Sequence, residues 1–111
     1  MKRGDVVTIA VSGDYGKPQP VLVVQADAFS AIPSVTVLRM TSALQAAHLV
    51  RITVQPTAQN GLRVASQVMV DKATTVSREK LGKVIGRIDA AIMREVSGAL
   101  AAFLGLDGLA A

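Results

Sequence analysis

The 111-residue sequence has no cysteine, no tryptophan and a single histidine. These absences exclude a disulfide framework, a thiolate metal site and a cysteine nucleophile. The carboxylates are scattered singly, so the pattern predicts no metal site, and we expect no cofactor. There is no run of about 18 apolar residues that would span a membrane, and the polar N-terminus is unlike a signal peptide. We therefore expect a cytoplasmic protein with no membrane partner.

Composition and charge describe a small, apolar and weakly basic protein. Half of the residues are hydrophobic, the formal net charge is +4, and the sequence pI is near 10.0. A chain of this length predicts one domain over residues 1–111. The positive charge suits nucleic acid or an acidic protein, and ordinary solubility explains it equally well. The positive mean hydropathy of +0.43 favours a homodimer or another partner that covers apolar surface.

Short apolar segments separated by Gly-, Pro- and Asn-containing turns predict a series of strands. These cover residues 5–11, 21–25, 35–40, 50–54, 67–70 and 84–88. Asp89 predicts a helix N-cap, and the helix that follows continues to about Leu104 and ends at Gly105. Its apolar stripe, which includes Phe103, must cover the sheet or a partner. The pattern predicts a mainly β fold with a C-terminal helix, arranged as a small, partly closed barrel.

Several segments, taken in order and spacing, resemble one known family over residues 3–106. The matching segments are 3–7, 20–27, 37–42, 50–52, 61–62, 66–72, 75–76, 81–82 and 85–89. They are similar to the MazF/PemK toxins of type II toxin–antitoxin systems. The resemblance implies an SH3-like β-barrel that acts as a homodimer and cleaves single-stranded RNA by attack of the 2′-OH on the adjacent phosphate. It also implies a cognate antitoxin protein that fills the RNA groove.

The resemblance assigns catalytic roles to Gln19 and Thr41. Thr41 follows the third predicted strand and would donate a hydrogen bond to a phosphate oxygen, although a threonine that only ends a strand is the alternative. Gln19 stands where the family usually has an arginine that binds the scissile phosphate. Losing such a contact typically costs about 10²–10³ in rate. Three explanations stay open: Lys17 replaces the charge, the protein is a weak or inactive relative, or the substitution disables a toxin.

Six further residues are expected to contact RNA: Tyr15, Lys17, Ser42, Arg51, Asp71 and Lys72. Tyr15 belongs to the loop of residues 12–18 and would stack on a base. Lys72 would contact phosphate while Asp71 orients it, but surface ion pairs explain the charged residues of this group as well. Outside the C-terminal helix, two further ring side chains receive no role in RNA binding. His48 is expected in an exposed loop and Phe29 in the core.

Two other functions stay open at this point. The gyrase-directed CcdB toxins resemble the same fold, so a toxin that acts on a protein target is one alternative. A catalytically silent relative that only binds antitoxin or RNA is the other.

Overall fold

The structure is a computed structural model that describes residues 1–10, 17–46 and 49–108. The predictions for Tyr15 and His48 therefore fall outside the described residues. The described part contains strands β1 (Asp5–Ala10), β2 (Pro18–Val23), β3 (Ser34–Thr41), β4 (Arg51–Val54), β5 (Ser66–Ser77) and β6 (Leu81–Arg87), and helix α1 (Ala90–Phe103). Short 3₁₀ turns occupy Asp27–Phe29 and Arg78–Lys80. None of the described helices is long and apolar enough to cross a membrane.

The six strands form one antiparallel sheet in the order β4-β5-β3-β2-β1-β6. The segment of residues 55–65 bends from β4 back onto β6, where the N–H of Arg87 donates to the carbonyl oxygen of Gln59 at 2.9 Å. Gly61 has a φ of +69°, and a Cβ there would lie 2.0 Å from the carbonyl oxygen of Ile85. Only glycine permits this approach, so the contact between the segment and β6 depends on Gly61.

Apolar side chains are buried on both faces of the sheet. Because side chains alternate along a strand, Val6 and Leu22 join the larger cluster, which helix α1 covers, while Val7 and Val21 join the smaller one. The apolar residues of β2 and the adjoining Val24 are all buried. The second strand is thus buried on both faces.

Helix α1 begins and ends where the sequence predicts. The N–H of Ile92 donates to the Asp89 carboxylate at 2.9 Å, and Gly105 follows the helix with a φ of +72°. Met93 and Val96 are the buried residues of the helix. Phe103, at the last turn, stays 50% exposed, so the far end of the apolar stripe is not covered by the sheet.

The prediction that Phe29 lies in the core is wrong. Its side chain is 56% exposed, because it ends the 3₁₀ turn Asp27–Phe29, which has no buried residue. That turn instead contributes polar contacts, since the Asp27 carboxylate accepts from the N–H of Arg3 at 2.7 Å. The aromatic side chain therefore projects away from both apolar clusters.

Candidate functional site: a polar row and a cationic cavity

Four polar residues form a row across β2, β3, β5 and β4. Thr41 of β3 pairs directly with Gln67 of β5, and Gln67 pairs with Thr53 of β4. On the other side of β3, Val21 lies opposite Arg39. Continuing this register by two residues sets Gln19 opposite Thr41, with both side chains on one face of the sheet. We call Gln19, Thr41, Gln67 and Thr53 the polar row.

Gln67 holds the loop that follows Thr41. Its side chain is only 4% exposed, and its amide nitrogen donates to the carbonyl oxygen of Gln45 at 2.8 Å and to the hydroxyl of Thr53 at 3.1 Å. Its amide oxygen accepts from the N–H of Gln45 at 2.9 Å. Gln67 thus binds both backbone groups of Gln45 and fixes the chain just beyond the polar row.

The hydroxyl of Thr41 is oriented by its own loop. The N–H of Ala43 donates to the Thr41 hydroxyl oxygen at 3.1 Å. Because that contact uses an oxygen lone pair, the hydroxyl hydrogen stays available to donate. Thr41 can therefore donate a hydrogen bond to an anionic oxygen placed against the row.

The charged residues Arg51, Asp71 and Lys72 form one group beside the row. Arg51 lies two residues before Thr53 on β4, and its guanidinium is paired with the Asp71 carboxylate. The Lys72 ammonium lies 3.7 Å from the same carboxylate. The side chain of Arg51 is 10% exposed and that of Lys72 is 56% exposed. Of the two cations, Lys72 is the one that solvent or a ligand can reach freely.

The environment of Asp71 favours its charged form. Partial burial of the carboxyl acts to raise its pKa, but the hydrogen bond from Arg51, a backbone hydrogen bond and the charges of Arg51 and Lys72 outweigh this effect. The pKa of Asp71 therefore lies below its ordinary value of 3.8. At neutral pH this carboxylate is ionised and holds Arg51 in place.

A cavity of about 620 Å³ opens at the end of the sheet beside the polar row. Its lining comprises Thr8, Lys17, Pro18, Gln19, Pro20, Met40, Ser42, Gly61, Leu62, Arg63, Val64, Ser66 and Ile85. Two of these residues, Lys17 and Arg63, are cationic, and none of the lining residues that the structure describes is acidic. The cavity therefore suits an anion. In residues 1–10, 17–46 and 49–108, no group of three or more His, Asp or Glu side chains could hold a metal ion.

The structure brings most of the predicted site residues into two adjacent places. Gln19 and Thr41 belong to the polar row by the continued β2–β3 register, and Lys17, Gln19 and Ser42 line the cavity. Thr41, the last residue of β3, is not among the residues that line the cavity. The charged group of Arg51, Asp71 and Lys72 lies farther along β4 and β5.

Membership of a known family follows from comparison of the whole chain. A model of the PemK-like, MazF-like toxins of type II toxin–antitoxin systems matches residues 2–104. The chain belongs to this toxin family. Within the family, a protein of Mycolicibacterium smegmatis named Probable endoribonuclease MazF is 45% identical over 109 residues, which cover 97% of this chain and 100% of the relative.

Solved structures of such toxins share the fold. An endoribonuclease in complex with its cognate antitoxin, from a Mycobacterial species, superposes with a TM-score of 0.80 at 24% identity, covering 96% of each chain. The MazE–MazF complex (Form-II) of Deinococcus radiodurans gives a TM-score of 0.78 at 19% identity, covering 95% of each chain. The predicted family and the predicted fold are both confirmed.

Two residues of the site were missed by the sequence analysis. Gln67 was placed at the start of a predicted apolar strand and received no role, although a polar residue beside buried valines is a signal for a buried hydrogen-bonding group. Arg63 follows the Asn60-Gly61 turn signal in the sequence. Its position in the cavity depends on the contact between Gly61 and β6, which no local pattern reveals.

Proposed function

We propose that this toxin is an endoribonuclease that cleaves single-stranded RNA. The 2′-oxygen of one nucleotide forms a bond to the adjacent phosphorus, and the bond from phosphorus to the 5′-oxygen breaks. The products are a cyclic phosphate and a 5′-hydroxyl end, with one proton leaving the 2′-OH and one joining the 5′-oxygen. The 45%-identical relative named an endoribonuclease supports this activity. A toxin that acts on a protein target such as DNA gyrase is not favoured.

The observation that carries the proposal is the β2–β3 register, which, continued by two residues, sets Gln19 opposite Thr41. The scissile phosphate would lie against this pair, where the Thr41 hydroxyl and the Gln19 amide donate to its non-bridging oxygens. Lys17 and Ser42 stand beside it at the cavity. Because Gln19 has no charge, this site stabilises the growing negative charge less than an arginine would. We therefore propose a functional but slow enzyme.

The other predicted RNA contacts extend the same binding surface. Tyr15, in the first loop, would stack on a base. Lys72 would bind a phosphate farther along β5, with Asp71 orienting its ammonium and Arg51 holding Asp71. The 3.7 Å separation between Lys72 and the Asp71 carboxylate is consistent with this arrangement.

The proposed partners are single-stranded RNA, a cognate antitoxin and a second copy of the chain. The solved complexes of related toxins with their antitoxins support the antitoxin. For the homodimer, the support is an apolar groove between α1 and β4, where Leu49 is 85% exposed beside Phe103. We propose that the protein is one toxin domain over residues 1–111 and acts in the cytoplasm, where its RNA substrate is found, without a membrane partner.

The Gln19→Arg variant tests the proposed site. The new guanidinium would meet the phosphate at the Gln19–Thr41 pair, so we expect the single-turnover cleavage rate to rise by about 10- to 100-fold. The assay follows a long single-stranded RNA and identifies the 5′-hydroxyl product. Gln55→Arg adds the same charge at an exposed loop position and should leave the rate unchanged.

Thr41→Ala gives the complementary test, because it removes the proposed hydroxyl donor from a half-buried strand end. We expect a loss of about 10²-fold or more in rate with the circular dichroism spectrum unchanged. Unchanged cleavage by Thr41→Ala, or an equal gain in Gln19→Arg and Gln55→Arg, would show that the phosphate does not lie at this pair.

A further inference from the structure

The cationic cavity adjoins the end of β3. Ser42, which follows the strand, lines it, whereas Thr41 is not among its lining residues. The polar row and the cavity are therefore two neighbouring places. Gln19 lines the cavity and belongs to the row by the continued β2–β3 register, so an RNA chain bound at the row would pass close to the cavity.

Arg63 is the cation of this cavity that sits on a well-supported backbone. The side chain of the buried Asn60 accepts from the N–H groups of Thr57 and Leu62, each at 3.0 Å, and donates to the carbonyl oxygen of Gln55 at 2.9 Å. With the Gly61 contact on β6, these bonds fix the loop immediately before Arg63.

The chain is also fixed immediately after Arg63. The Ser66 hydroxyl donates to the carbonyl oxygen of Val64 at 3.0 Å, and Ser66 then enters β5 as a buried residue. Leu62, on the other side, packs against the larger apolar cluster. The Cα of Arg63 is thus held in position while its side chain stays exposed.

The guanidinium of Arg63 has no ion-pair or hydrogen-bond partner within the part of the chain that the structure describes. An arginine can donate two parallel hydrogen bonds to one phosphate, which a lysine cannot do. Because the backbone is already ordered, binding a phosphate here carries no added cost of ordering the backbone. The Ser42 hydroxyl is a further donor on the cavity wall.

We propose that the cavity is a binding site for a backbone phosphate next to the scissile one, and that Arg63 is its principal ligand. This inference rests on the proposed RNA-cleaving function and adds a residue that anchors the substrate. Arg63 exchanges no proton and contacts no reacting atom. Its contribution is to hold the RNA so that the scissile phosphate meets Gln19 and Thr41.

The test compares the wild-type protein with Arg63→Gln, Arg63→Lys and a matched control, Arg94→Gln, whose side chain is exposed on α1 outside the cavity. Binding is measured by fluorescence anisotropy with a 2′-O-methyl oligonucleotide, which lacks the attacking hydroxyl and cannot be cleaved. We expect Arg63→Gln to weaken binding by about fivefold to tenfold and to reduce the slope of log K against log salt by about 0.7. Arg63→Lys should restore the slope but only part of the affinity.

A phosphate scan then locates the contact. Single phosphates of the oligonucleotide are replaced in turn by uncharged methylphosphonates. For the wild-type protein, one position next to the scissile phosphate should lower affinity, and the same replacement should cost nothing further in Arg63→Gln. Equal losses of affinity in both proteins at every position would overturn the proposal. So would a result in which the replacement whose cost disappears in Arg63→Gln is that of the scissile phosphate itself.

Cleavage of the natural RNA separates this inference from the proposed function. Arg63→Gln should raise KM by about tenfold and leave kcat within about twofold, because the contact is the same in the ground state and the transition state. A wild-type protein that binds but does not cleave refutes the nuclease, while the phosphate scan still decides on Arg63. Cleavage that is unchanged in Arg63→Gln refutes the role of Arg63 and leaves the nuclease standing.

Discussion

Replacing Gln67 by Met tests whether the loop beyond Thr41 must be held for cleavage. Methionine has a similar volume to glutamine, so the substitution leaves no large cavity beside the apolar cluster. It removes all three hydrogen bonds of the Gln67 side chain, two of them to the backbone of Gln45. Within the described residues 41–46, the contact of Ala43 with Thr41 would then be the side-chain hydrogen bond that remains.

The expected loss of stability can be worked from these bonds. Each net hydrogen bond contributes about 0.5–1.5 kcal/mol, so three give roughly 1.5–4.5 kcal/mol. Gln45 and Thr53 are both exposed, and water can replace Gln67 at their freed groups. We therefore expect the lower part of that range, about 1.5–2.5 kcal/mol. The loosened loop should also lower the cleavage rate by about tenfold, because Thr41 is less well oriented.

The assay pairs urea unfolding, read by circular dichroism, with single-turnover cleavage. Gln59→Met is the matched control, since the Gln59 side chain is exposed and away from the row, and its effect should stay within about 0.5 kcal/mol. A Gln67→Met protein as stable as the wild type would refute the energetic argument from the three hydrogen bonds. A destabilised protein with the wild-type rate would show that the position of the loop is unimportant for catalysis.

Two further predictions concern the charged group and the apolar groove. Asp71→Asn should destabilise the protein near pH 7, where the ionised carboxylate holds Arg51. Because the pKa of Asp71 is lowered by folding, this stabilisation is present above about pH 4 and is lost as pH falls through the native pKa, so the difference in urea midpoint between variant and wild type should shrink as pH falls below about 4. Phe103→Glu should shift the protein from dimer to monomer in sedimentation at micromolar concentration without unfolding it, whereas a wild type that is already monomeric there would contradict the proposed dimer.

Most of the fold follows from local sequence patterns. The alternation of Val6 and Val7, the N-cap at Asp89 and the exit at Gly105 depend on neighbouring residues only, and all three are confirmed. Strand β5 shows the limit of such patterns. It was predicted over residues 67–70 and extends over Ser66–Ser77, because its polar second half is held by pairing with β3 rather than by burial of apolar side chains.

The site could be predicted only in part for the same physical reason. Gln19 and Thr41 were identified by resemblance, and the β2–β3 register sets them opposite each other. The register of a sheet depends on long-range pairing, so the row that continues through Gln67 could not be read from single segments. The position of Arg63 was still harder to predict from the sequence, because its placement in the cavity requires the loop of residues 55–65 to close on β6.

The separation of the polar row from the cavity bears on the missing charge at Gln19. Lys17 lines the cavity, as Arg63 does. A cation there would attract RNA and hold a neighbouring phosphate equally in the ground state and the transition state, so it would lower KM without raising kcat. Charge at the row itself acts on the transition state. For this reason Gln19→Arg is expected to raise kcat even though two cations already stand close by, and a gain confined to KM would show that the row and the cavity bind the same phosphate.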